Sequence, residues 1–146
     1  MKGRLTGGAV GAVFLTLFAC GASEPLEDRR IGVIHEVEGE PDVRVPASAR
    51  ASEPFEVRVR TVGGACVRRD DTELEMAGDT VRVTPYDRYL LPRPGLGCIP
   101  SDETIAHTVD ISFDDAGEVV VVVRGRVDDG SEEVYELEYP VAVTPP

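Results

Sequence analysis

The sequence predicts an all-β domain, two packed antiparallel sheets of seven to eight strands held by one disulfide. Three features carry that expectation. Apolar residues recur at every second position over several short runs, turn-forming residues interrupt the chain about every ten positions, and nothing after residue 30 sustains a helical period.

The amino-terminal stretch is of a different kind. Lys2 and Arg4 precede an eleven-residue run, Ala9 to Ala19, that is apolar apart from glycine and Thr16. This is the layout of a secretory signal. At ~1.5 Å per residue such a helix is too short for a ~30 Å hydrocarbon core, so a resident transmembrane helix is the weaker reading. The run ends on Leu17-Phe18-Ala19-Cys20, which resembles the lipobox of bacterial lipoproteins. The resemblance spans residues 1 to 21. It implies diacylglycerol on the Cys20 sulfur, cleavage after Ala19 and acylation of the new amino group, giving a lipid anchor in a membrane. Gly21 resembles the type sent to the outer membrane of two-membrane bacteria, which implies the periplasmic face of that membrane. Residues 1–19 are thus expected to be a leader and 20–30, polar and without apolar period, a lipidated tether. The β domain is expected over 31–146.

Charge narrows the partners. The leader holds two of the fifteen basic residues and none of the twenty-seven acidic ones, so the chain from Cys20 onward carries a formal charge of −14. Nucleic acid and anionic lipid are repelled by such a surface. With no tryptophan, and with Phe55, Phe113 and four tyrosines as its aromatics, the domain must build its core from Val, Ile and Leu. A core of this kind benefits from a covalent link. Cys66 and Cys98, the pair left once Cys20 is set aside, are expected to form a disulfide in an oxidising compartment.

Strands are expected at approximately 31–37, 42–46, 55–62, 70–77, 80–91, 105–113, 118–127 and 133–143. In the first, Ile31, Val33, His35 and Val37 share one face; later, Phe55, Val57 and Val59 alternate against Glu56, Arg58 and Arg60. A two-residue Gly78-Asp79 turn pairs Ala77 with Thr80, setting Met76 opposite Val81 and Leu74 opposite Val83. A three-residue loop, Asp115 to Gly117, sets Phe113 against Val119 and Ile111 against Val121, with Gly117 left-handed. A third hairpin places Val123 opposite Leu137, Val121 opposite Tyr139 and Arg124 opposite Glu136. Val119 to Val123, apolar on both faces, belongs in the middle of a sheet. Pro140 lacks a ladder donor, which marks the last strand as an edge or a bulged one.

The run Val43 to Gly64 and the pair of strands over 107 to 127 resemble bacterial immunoglobulin-like β-sandwiches in pattern. That resemblance implies two aligned antiparallel sheets.

Candidate functional groups are few. Pro85 to Glu103 mixes tyrosine, arginine and leucine with four prolines and ends near Cys98. Tyr86, Arg88, Tyr89, Arg93 and Leu96 are therefore candidate contacts for an envelope protein, since tyrosine and arginine dominate binding hot spots and a stiff loop loses little entropy on binding. The competing reading is a crossover whose Leu90 and Leu91 cap the core. His35, His107, Cys66 and Cys98 match no zinc-ligand spacing and are read as packed or rim residues. Acidic turns at Asp70-Asp71, Asp114-Asp115 and Asp128-Asp129-Gly130 raise a calcium module as the alternative function, though turns themselves favour Asp and Gly. No nucleophile elbow, zinc-protease or phosphate-loop motif occurs, and no lysine follows Lys2. A hydrolase with an unrecognised carboxylate site is a weaker alternative; no catalytic residue, metal or cofactor is expected. The leading expectation is a non-catalytic envelope lipoprotein with a binding or structural role.

Overall fold

The computed structural model describes residues 27–91, 97–99 and 101–146. The expected leader, Cys20, Arg93 and Leu96 lie outside them. In chain order the strands are β1 (Glu27–Ile31), β2 (Glu36–Val37), β3 (Glu40–Pro41), β4 (Val43–Arg44), β5 (Ser48–Arg50), β6 (Phe55–Val62), β7 (Val67–Ala77), β8 (Thr80–Leu90), β9 (Thr104–Ile111), β10 (Gly117–Arg126) and β11 (Val134–Thr144). The eleven exceed the expected seven to eight because three are two-residue pieces. The all-β class holds, and Cys66 and Cys98 are joined as a disulfide.

A six-stranded sheet runs β1-β8-β10-β11-β5, with β7 on the far side of β8, and a three-stranded sheet runs β4-β6-β9. Period-two apolar residues turn one face of each sheet inward. Val57, Val59 and Ile111 from the small sheet meet Val81, Val83, Val121, Val123 and Val141 from the large one. Each such side chain contributes roughly 1.5–3 kcal/mol by leaving water, so a valine core is enough to hold the layers together.

Two hairpins keep the register that their turns dictate. Ala77 pairs Thr80, Met76 pairs Val81 and Leu74 pairs Val83. Val123 pairs Leu137, Val121 pairs Tyr139, and Arg124 pairs Glu136, with 3.4 Å between their charged groups. β10 lies between β8 and β11, as its two apolar faces require. Pro140 sits on β11 opposite Val120, and β11 meets β5 only over Ala142 to Thr144, so its first part is an edge.

Other expectations are corrected. The pairings are not all antiparallel: β8 runs parallel to β10, and β5 parallel to β11. The cause is a second correction. Ile111 and Val121 do not belong to one hairpin, since β9 pairs β6 while β10 pairs β8 and β11. The segment from Ser112 to Ala116 crosses from one sheet to the other, and Gly117 begins β10 without a positive φ. Returning to the large sheet after a strand in the small one brings β10 alongside β8 in the same direction. The segment expected to be tether up to Arg30 is instead a strand over Glu27–Ile31, paired with β8 from Leu90 to Tyr86. Its polar side chains find ionic partners there rather than an apolar face. The phase of 31–37 is also reversed: Gly32 and Ile34 are buried, whereas Val33 and His35 are half-buried and Val37 is exposed.

That reversal follows from a change of sheet. Gly32 N–H donates to Pro85 of β8 and Ile34 N–H to Arg126 of β10, both in the large sheet. His35 N–H then donates to Arg60 of β6, in the small one. Ile34 packs directly on Gly125, where a Cβ would collide with its side chain. One short segment therefore stitches the two sheets at one end of the sandwich.

Candidate functional site

Of the five expected contact residues, three are described, and they do not form one patch. Pro85 to Leu90 is the second half of β8 rather than a loop, so Tyr86 and Arg88 point to one face and Asp87 and Tyr89 to the other. The Arg29 guanidinium lies 3.6 Å above the Tyr86 ring. Arg88 is bound to Glu27 at 3.3 Å and to Asp70 at 3.1 Å. The hydrogen bond from Arg88 holds the Asp70 carboxyl below the usual aspartate value. On the inner face, the Tyr89 hydroxyl accepts from Arg126 Nη2 at 3.0 Å, and burial pushes that hydroxyl above the ordinary tyrosine value. These groups clamp β1 onto β7 and β8.

A second cluster was not anticipated. Along β8 the inward positions run Val81, Val83, Pro85, Asp87, so a carboxylate enters the core by period alone. In β7 a bulge between Arg69 and Thr72 turns Thr72 inward, a usual effect of an inserted residue. From β9, His107 points into the same space. His107 Nε2 lies 3.0 Å from Asp87 Oδ1, and Thr72 Oγ1 lies 2.9 Å from His107 Nδ1. With Nε2–H donating to Asp87, the other ring nitrogen of a neutral imidazole accepts the threonine hydroxyl. Asp87 Oδ2 and Thr61 Oγ1 are buried without a hydrogen-bond partner among the described residues, and Asp87 Oδ2 and Thr61 Cγ2 fill the space that a Cβ on Gly32 would need.

Hydroxyl, imidazole and carboxylate in sequence is the relay that acyl-transfer enzymes use. Here the side chains of His107 and Asp87 are 0 % exposed, so the imidazole is sealed from solvent. The arrangement links β7 and β8 of the large sheet to β9 of the small one, and its chemistry is that of an internal polar tie. The sequence marks His107 as a packed or rim residue but gives no motif that singles out Asp87 and Thr72 beside it. The readable signal was the period of β8, because a carboxylate at an inward position demands a partner.

The remaining candidates are dispersed. His35 is half-buried, 3.6 Å from Asp42 and apart from His107, while both cysteines are in the disulfide. No three His, Cys, Asp or Glu side chains converge as a metal site among the described residues. In the acidic turns, Asp70 is engaged by arginines, Asp71 accepts from Thr72 N–H, and Asp129 accepts from Ser131 N–H at 2.8 Å.

At the end of the sandwich where the β7–β8 turn meets the β9–β10 crossover, a groove of about 460 Å³ opens. Met76, Phe113 and Val119 supply its apolar side. Its rim carries Asp79, Asp114, Asp115 and Glu118, none within an ion pair among the described residues. Neither the β1 clamp nor the His107 tie contributes to it. No family model, curated protein or solved structure matches this chain.

Proposed function

We propose that the chain is a non-catalytic bacterial envelope lipoprotein, in which lipid on Cys20 holds a disulfide-linked, immunoglobulin-like β module close to a membrane so that it can bind another protein. The observation that carries this reading is the position of Cys20 at the end of an eleven-residue apolar run that follows Lys2 and Arg4. The start of β1 supports it. Glu27 is seven residues beyond Cys20, and seven residues reach about 25 Å at most, which keeps the module near the headgroups. Gly21 favours the periplasmic face of the outer membrane. The immunoglobulin-like part of the reading rests on the strand pattern from Val43 onward and on the two facing sheets; the parallel β8–β10 pair is its main departure.

Labelling cells with a radioactive or clickable fatty acid tests the anchor. The parent chain takes up label and sediments with membranes, whereas Cys20→Ala is unlabelled and stays with its uncut leader or in the soluble fraction. Equal labelling and equal fractionation of parent and Cys20→Ala would overturn the reading.

A further inference from the structure

β7 is an edge strand. Its only strand partner among the described residues is β8, so every second backbone N–H and C=O along it points away from the sheet. Most natural edges are protected, and the first half of β7 is: it carries the Arg69–Thr72 bulge and four consecutive charges, Arg68 to Asp71. The second half is not.

From Thr72 onward, Leu74 and Met76 lie on the same face as the inward Thr72, and their partners across the ladder, Val83 and Val81, are fully buried. Yet Leu74 is 43 % and Met76 58 % exposed. The apolar face of the large sheet thus extends past the cover of the small one. It opens into the groove whose rim holds Asp79, Asp114, Asp115 and Glu118, carboxylates outside any ion pair among the described residues.

Charge selects the occupant. A second copy pairing antiparallel about Leu74 would set Glu73 opposite the other copy's Glu75 at both ends of the contact, and like charges directly opposite are destabilising. It would also bring together two chains that each carry a strong negative charge. An anionic lipid surface is repelled for the same reason. A cationic strand is attracted: apolar side chains on one face would lie on Leu74 and Met76, while basic ones alternate onto the outer face beside Glu73 and Glu75 and, at the end of the segment, reach the rim carboxylates.

We propose that the edge of β7 from Thr72 to Ala77, with the adjoining acidic groove, is a docking site for an extended, basic segment of a partner protein added as a further strand. Strand addition of this kind takes affinity from main-chain hydrogen bonds and specificity from alternate side-chain positions. The proposal deepens the binding role proposed above by naming the partner class, and it does not require the lipid.

The test uses the full chain in neutral detergent with two synthetic eight-residue peptides, one alternating arginine with valine and one alternating glutamate with valine. Binding is followed by fluorescence anisotropy at low salt, and amide hydrogen exchange locates it. The arginine peptide is expected to bind and to slow exchange over 72–77; the glutamate peptide is not. Leu74→Ser with Met76→Ser, which leaves charge unaltered, is expected to weaken binding at least tenfold. Asp114→Asn with Asp115→Asn should weaken it more than Glu133→Gln with Glu138→Gln, which removes the same charge from β11 and its approach. Equal weakening by the two charge-removing pairs would overturn the proposal, as would protection elsewhere, an unaffected Ser variant or a dimer formed through this edge. Loss of this site with intact labelling of Cys20 would leave the anchor standing; the reverse result would leave the docking site standing.

Discussion

Asp87 shows what one side chain can do to a valine core. Its side chain is fully buried and is tolerable there because His107 stands 3.0 Å away. A buried pair of this kind adds little net stability over an apolar replacement, but removing one partner strands the other. Asp87→Ala is therefore expected to lower the unfolding free energy by about 1–3 kcal/mol in urea titrations, because the His107 N–H is left buried without its acceptor, and an unchanged midpoint would contradict the tie. Asp70 works at the surface and in the opposite sense. Arg88 holds its folded-state ionisation below that of an unfolded aspartate. Its contribution is complete above the unfolded value near pH ~4 and disappears as acid carries the pH down through the folded value. Asp70→Asn should lower the neutral plateau of stability and flatten the acid limb, with parent and variant converging at the lowest pH. Superimposable acid limbs for parent and variant would show that the clamp is not coupled to folding.

At the level of strands, the legible parts were those where a short turn leaves the chain no choice. Gly78-Asp79 forces β7 beside β8, and the register of Leu74 and Val83 follows. The link between Ile111 and Gly117 was not legible, because period two reports which side of a strand faces inward, not which sheet the strand joins. Five residues can close a ladder or cross the ~10 Å between sheets equally well. Ile111, Phe113, Val119 and Val121 do meet in one core, though across the interior and not along a ladder. β1 was invisible for another reason: Asp28, Arg29 and Arg30 have no apolar alternation, and the long-range partners of the two arginines, Asp70, Glu73 and Glu132, are distant in sequence. The Met76 groove was half legible, since its face was readable and its exposure depended on where β9 ends. The contact of Ile34 with Gly125 makes a sharp test of the sheet-crossing segment. Gly125→Ala should destabilise by roughly 1–3 kcal/mol through overpacking, and adding Ile34→Val should recover part of that loss. Strict additivity of the two changes would refute the contact.

Across the whole molecule, the disulfide joins cysteines 32 positions apart, enclosing β7, β8 and the approach to β9. Loop-closure entropy assigns such a link about 3–4 kcal/mol. Replacing Cys66 and Cys98 by serine, or reducing the parent, should lower stability by that amount, measured by urea midpoint, with the two treatments agreeing. Unchanged midpoints would mean that the large sheet alone sets stability. The segment from Gly32 to His35 has a mechanical consequence. A tug arriving through the amino-terminal end first meets β1, whose continuation is fastened to β8 and β10 on one layer and to β6 on the other. Force is shared between both layers within a few residues, so the strand cannot be peeled off like the end of a tape. The module should yield as a unit, at a rupture force well above that needed to unzip a lone edge.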